Sequence, residues 1–476
     1  MIEIKEDEAY RKYLQLANFE KDEIPGYLPE WRKASKKLGL TLADMKFATE
    51  HWIPENFEVE LEGVRKMLRA YTLEVLDLVK ANEYKKKGVK IVYGILPASL
   101  VFYYALKLEA PDKVYVSFPD AFLTHLLASF FHKVVPFLEE AEQHGIPYGG
   151  RHCGLNKMRY AARRSGLIPS PDVSWIWGFV CDEGPKTDEF IREYCDPEWN
   201  TVITRIPHDQ PYGTREDEID ERVEYLAKQM EDGFKTVQRT IGVEVQEDTI
   251  NKIIDRRTNY AKKLGKLYKL MTSDPQPLSG NDSVYPADPL MLAYNTFIDT
   301  MEDALDTLTD EIEHRVKKRE GILPEGAPKL MGFIIPVCNP WLVKMFEKND
   351  VGFPYYEGMV PSEKEMTLPR FKDAYMGAAE TWLKWGHGVN IGYKAEVTLE
   401  KLQTYEIDGM VFGFMDFDRW LGSDHRLLCK IVEKESDVPT FYIEADAWED
   451  RDYSPEALRT RIDTISEIVK MRKKRK

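Results

Sequence analysis

Residues Ile407–Asp446 read IDGMVFGFMDFDRWLGSDHRLLCKIVEKESDVPTFYIEAD. Gly409–Gly413 is a short apolar run of strand character, and Thr440–Glu444 is a second. Asp424–Glu435 between them has helical composition. Alternation of strand and helix implies a parallel sheet covered by helices on both faces. Beyond it, Ser454 stands at an N-cap position with Pro455 at the first helical position. Leu458, Ile462, Ile465 and Val469 then form the apolar stripe of a closing helix.

The same alternation extends upstream. Leu330–Ile335 reads as a strand, Pro340–Lys348 as a helix and Gly352–Tyr356 as a strand. Tyr375–Trp385 and Glu400–Gln403 read as helices, and Gly386–Gly392 as a loop. A separate alternating region lies nearer the N-terminus, with strands at Val89–Gly94, Val114–Phe118, Val173–Trp177 and Val202–Ile206. Helices are expected at 98–108, 121–142 (with a break at Pro136), 155–164 and 187–194. Between the two regions, Ile219, Val223, Leu226, Met230, Phe234 and Val237 recur at helical spacing, as do Ile250, Ile254 and Leu264. A further long helix is expected over Asp288–Arg319, ended by Gly321 and Pro324. Residues 1–85 are charged and helix-favouring; within them Val64, Leu68, Tyr71, Val75 and Val79 mark one amphipathic helix. The expected fold is α/β: a helical N-terminal extension (1–85), a first α/β lobe (86–215), a helical connecting region (216–325) and a second α/β lobe (326–476).

Composition narrows the function. The chain has 476 residues, length for two or three domains of roughly 150 residues each. Lys and Arg number 66 against 81 Asp and Glu, a net charge of −15. That balance argues against nucleic acid as a partner. The basic run Met471–Lys476 reads as a solvated terminus. No apolar stretch has the roughly 18 residues of a membrane span. The opening MIEIKEDEAYRKY is acidic, unlike a secretory signal, so a cytoplasmic location is expected. The 5 cysteines, Cys153, Cys181, Cys195, Cys338 and Cys429, are widely spaced and include no C-x-x-C pair. A disulfide framework, a zinc ribbon and a ferredoxin run are excluded. Neither a Walker A loop nor a dinucleotide-binding glycine fingerprint occurs, and there is no H-E-x-x-H or G-x-S-x-G.

Ligands of open α/β sheets bind beyond the carboxyl ends of strands. Cys181 follows the strand at 173–180, Asp416 and Asp418 follow the strand ending at Gly413, and Cys338 follows the strand ending at Ile335. Cys153 precedes a helix. Soft or anionic donors thus stand at comparable positions in both lobes. That arrangement suits a metal or cluster between them, and it equally suits small buried residues and loop acids.

Particular runs resemble a known family. Ile407-Asp-Gly-Met-Val411, Val438–Asp446 and Asp450-Arg-Asp-Tyr-Ser454 resemble the closing unit of the 2-hydroxyacyl-CoA dehydratase and benzoyl-CoA reductase superfamily. Cys153-Gly-Leu-Asn-Lys157, Gly166, Pro171-Asp172, Cys181-Asp182 and Arg205-Ile-Pro207 resemble its first lobe. The likeness runs from about residue 145 to the end, and Asn339-Pro-Trp341 is similar to the larger cluster-bearing subunit of class I benzoyl-CoA reductase. The resemblance implies a 4Fe–4S cluster held by three cysteines from the two lobes and a homologous smaller subunit. It also implies an ATP-hydrolysing iron–sulfur activator that delivers low-potential electrons, and an acyl-CoA substrate: ring reduction of an aromatic acyl-CoA of benzoyl-CoA type is the leading expectation, and 2-hydroxyacyl-CoA dehydration by the same radical chemistry is the alternative. Carried over, Cys153 and Cys181 match the first two ligands. Asp418 stands where the family has its third cysteine. Cys429 lies further on, in the next helix. Two readings of Asp418 remain open. A carboxylate completes the ligand set, with Cys338 as an alternative donor, or the cluster is lost and the subunit is a scaffold. His152, beside Cys153, is a candidate proton donor or a structural histidine.

Overall fold

The structure is a computed structural model. It describes residues 2–94, 98–146, 152–178, 183–205, 215–216, 219–290, 295, 297–333, 339–385, 390–414, 422, 424–444, 448, 450–451 and 453–475. The leading segment contains α1 (Ile2–Leu16), α2 (Ile24–Lys37), α3 (Leu42–Phe47), α4 (Ile53–Asn56), α5 (Glu62–Leu78) and α6 (Ala81–Lys86). Aromatic residues tie it together: Tyr13 stacks on Trp31 at 4.6 Å, and its hydroxyl meets Thr72 of α5 at 3.0 Å.

The first sheet is built from β1 (Lys90–Gly94), α7 (Ala98–Glu109), β2 (Val114–Ser117), α8 (Pro119–Thr124), α9 (Val135–Gln143), α10 (Gly154–Arg164), β3 (Val173–Gly178), α11 (Glu183–Tyr194) and β4 (Thr201–Arg205). A helical region follows, with α12 (Asp220–Ile241), α13 (Glu247–Leu270), α14 (Gly280–Val284) and α15 (Phe297–Lys318). The second sheet comes from β5 (Lys329–Phe333), α16 (Pro340–Glu347), β6 (Gly352–Tyr356), α17 (Ala374–Lys384), α18 (Ile391–Thr404), β7 (Gly409–Phe414), α19 (His425–Glu435), β8 (Thr440–Glu444) and α20 (Pro455–Lys473).

Both sheets are parallel, as the alternating pattern predicts. Their strand orders are β2-β1-β3-β4 and β6-β5-β7-β8, the same arrangement twice. Central strands covered on both faces must be apolar throughout. Ile91, Val92 and Tyr93 of β1 are buried in succession, as is all of β5. At the edge, β4 exposes Ile203.

Two expectations need correction. The long helix begins at Phe297, not Asp288. Residues Tyr285–Leu290 form a 3-10 turn containing Pro286 and Pro289, and the Asp288 carboxylate there accepts from Tyr71 and from His125 Nδ1. In the second lobe the short helix expected at 400–403 is the end of α18, which starts at Ile391 with the Asn390 side chain accepting from Gly392 and Tyr393 amides. The start of α5 packs close to the middle of α15: a Cβ on Gly63 would lie 2.5 Å from the Leu308 backbone, so only glycine permits that approach. Glu311 of α15 accepts from the Glu62 and Gly63 amides at 2.8 and 2.9 Å, favourably placed at the positive end of α5. Among the described residues no helix is long and apolar enough to cross a membrane.

Candidate functional site

In a sheet ordered 2-1-3-4, the chain leaves the first and third strands in opposite directions, and the crevice between their carboxyl ends is the ligand position. Here those strands are β1 and β3 in one sheet and β5 and β7 in the other. Cys181 follows β3, Cys338 follows β5 and Asp418 follows β7, so each candidate donor comes just after a strand that flanks a switch point. Cys181, Cys338 and Asp418 themselves lie outside the described residues.

Cys153 is described. It is the N-cap of α10, with φ −71° and ψ 160°, and its carbonyl accepts from the Asn156 and Lys157 amides. Its Sγ is buried and receives the Asn156 side-chain amide at 3.2 Å. A helix N-terminus and a neighbouring donor both favour negative charge on sulfur. His152 packs edge-on against Phe190 at 5.3 Å, with Nδ1 3.8 Å from Glu183. Its Nε2 is buried without a hydrogen-bond partner among the described residues. Burial, then Lys186, Lys157 and Arg159, push the imidazole down to about 4, so His152 is neutral near pH 7 and is a poor acid in this state.

The second lobe comes against this helix. A Cβ on Gly154 would stand 2.9 Å from the Trp448 carbonyl oxygen, so glycine lets the segment after β8 approach the start of α10. Nearby, Arg451 forms a bidentate pair with Glu142 of α9 at 2.6 and 3.0 Å, and Lys157 shares the same carboxylate at 3.0 Å. Asp450 accepts from or donates to His132 Nε2 at 2.7 Å. Beneath α10, Arg159 is buried between Asp120 (2.9 Å) and Asp188 (2.6 Å), and Ser174 of β3 binds the other Asp188 oxygen at 2.9 Å. That network joins α8, α10, α11 and β3.

At the corresponding end of the second sheet is a buried charged cluster that sequence reading missed. Glu357 follows β6 directly and has no exposed surface. Lys394 reaches it at 2.5 Å and Lys401 at 3.4 Å, with Thr398 at 3.3 Å. Lys401 is also 3.8 Å from Glu365. The Lys394 ammonium lies 4.9 Å from the Phe333 ring at the end of β5, and His425 meets that ring edge-on at 4.0 Å. Burial pulls Lys394 down to about 8, partly opposed by Glu357. Burial also lifts Glu357, but Lys394 and Lys401 outweigh it and hold the carboxyl below its ordinary range. His425 is pushed well below its usual value by burial. The available signal was Lys394, Thr398 and Lys401 at helical spacing.

Cys429 is buried within α19, and Cys195 is half-buried after α11. Among the described residues no group of three His, Cys, Asp or Glu side chains could hold a metal ion.

Residues 114–469 match the family described as 2-hydroxyglutaryl-CoA dehydratase, D-component. The chain belongs to that family. It is also 22% identical over 341 residues to the (R)-phenyllactyl-CoA dehydratase alpha subunit of Clostridium sporogenes, covering 70% of this chain and 80% of the relative. The superfamily expected from the Cys153 and Asp446 segments is therefore the right one.

Proposed function

We propose that this chain is a subunit of a 2-hydroxyacyl-CoA dehydratase. It would work with a homologous smaller subunit and an ATP-hydrolysing iron–sulfur activator, and would hold a 4Fe–4S cluster through Cys153, Cys181 and a third donor, Asp418 or Cys338. The observation that carries the cluster assignment is Cys153: a buried thiol at a helix N-terminus, with an amide donor on sulfur and the Trp448 segment of the second lobe alongside. That environment fits a soft, anionic iron ligand shielded from water. When bound, such a cluster supplies one-electron reduction to the thioester.

The chain's own residues then have defined tasks. Arg159 and its two carboxylates fix α10, and hence Cys153, against the first sheet. Trp448 and Phe190 add apolar surface around the Cys153 and His152 pair. Dehydration removes the C2 hydroxyl and a C3 proton as water, so the site must hold both groups away from bulk solvent.

The test is an anaerobic preparation of the complete complex, assayed for iron and sulfide per subunit with wild type and Cys153→Ala. Cluster loss from this subunit in the variant, with the fold retained by circular dichroism, is expected. Offering the complex a 2-hydroxyacyl-CoA and benzoyl-CoA in parallel separates dehydration from aromatic ring reduction, and a cyclic diene product would move the assignment to the reductase. Iron absent from this subunit in wild type would make it a scaffold.

A further inference from the structure

Arg257 lies on the buried face of α13. One turn earlier, Ile254 faces α17 of the second lobe at Gly377, while α13 also packs on α7 of the first. Arg257 therefore sits in the helical layer joining the two sheets. It is 6% exposed, yet its guanidinium makes no hydrogen bond or ion pair with any described residue, and Nη1 is fully buried. The contrast with Arg159 is direct, since that buried guanidinium has two carboxylates in contact. A guanidinium stays charged in proteins, and a buried charge without a counter-ion is costly.

The described residues around it do not supply one. The carboxylate whose charge it feels is Glu365, without an ion pair between them. Glu365 is already engaged by the Ser362 amide at 2.9 Å, the Ser362 hydroxyl at 3.1 Å and Lys401 at 3.8 Å. Lys401 in turn leads to Glu357 and Lys394. Among the described residues the buried set has three cations (Arg257, Lys394, Lys401) and two carboxylates (Glu357, Glu365), a surplus of one positive charge.

We infer that Arg257 is the binding residue for a carboxylate monoanion in the layer between the two lobes. A planar guanidinium with free donors matches a carboxylate in geometry, and one negative charge balances the set. The carboxylate comes either from the acyl group of the substrate or from a small free acid. The first source rests on the function proposed above, and the anion site itself does not.

Calorimetric titration of the full chain with sodium acetate, against sodium chloride at equal ionic strength, tests the site. Saturable acetate binding to wild type is expected, weakened about tenfold or more in Arg257→Met and less in Arg257→Lys. Absence of saturable acetate binding in wild type overturns the inference without reliance on any variant, and so does unchanged binding in a folded Arg257→Met. A second arm compares glutaryl-CoA with pentanoyl-CoA on the same proteins. A preference of about tenfold for glutaryl-CoA, lost in Arg257→Met, assigns the carboxylate to the acyl group. Equal binding of both esters alongside acetate binding assigns it to a free acid. If acetate binds and neither ester does, the anion site stands and the acyl-CoA reading falls.

Discussion

At the scale of single residues, the two lobes present different chemistry, at the start of α10 in the first and directly after β6 in the second. The first offers a buried thiol and a neutral imidazole, the second a buried carboxylate under two ammonium groups. Glu357 is central to the second. Replacing it with Gln leaves Lys394 and Lys401 buried without their shared anion, so Glu357→Gln should destabilise the chain by about 3–5 kcal/mol in urea unfolding. Replacing the pair with apolar residues of similar volume, Glu357→Leu with Lys394→Met, should recover most of that loss. If the double variant is no more stable than the single one, the buried Lys394 charge is not what the loss of Glu357 exposes. The place of Cys153 at the start of a helix was legible in the sequence, and its proposed ligand role came from the family resemblance. Lys394 and Lys401 were not, because lysine on a helix normally marks the solvent face, and only the fold shows these two turned inward.

At the scale of elements, β-strands were read with small boundary errors because buried parallel strands are short apolar runs bounded by turns. The misreadings at Asp288 and at α18 share one cause. Hydrophobic periodicity fails where the buried side is polar: Asp288 is turned inward to Tyr71 and His125, and α18 buries Lys394, Thr398 and Lys401. The start of α10 also depended on a contact distant in sequence. Gly154 is needed for the approach of the Trp448 backbone, which lies near the other end of the chain. Gly154→Ala should therefore cost about 1–3 kcal/mol by overpacking. With Cys153 intact, the variant should also hold less iron in the anaerobic complex. Unfolding midpoint and iron content measured on one preparation check both. A variant matching wild type in both would show that the Trp448 segment yields without disturbing Cys153.

At the scale of the molecule, the repeated 2-1-3-4 sheet explains why candidate donors fall after corresponding strands, and the contacts between lobes explain what holds them together. The sequence carried Asp450 and Arg451 as family-like residues without showing their partners. The structure gives them: Arg451 grips Glu142, and Asp450 pairs with His132, both across from the second lobe to the first. Burial raises Glu142, but its hydrogen bonds from Arg451 and Lys157 prevail and hold it below its ordinary 4.5. The His132 hydrogen bond lowers Asp450 despite partial burial. A carboxyl lowered by folding adds stability that is complete above its unfolded value and is lost as pH falls through the folded one. The tie of Glu142 to Arg451 and Lys157 should hold undiminished from neutrality to about pH 5 and weaken progressively below it. Arg451→Met removes the main partner of Glu142, so at pH 7 it should cost about 1.5–3 kcal/mol. The gap between wild type and variant should narrow as pH falls below about 4.5, because the wild type loses the same interaction by protonation. Urea unfolding of both proteins between pH 7 and pH 3 reads this directly. A gap that stays constant across the range would mean that Arg451 acts through packing of its side-chain stem, and that the charge on Glu142 contributes little to joining the lobes.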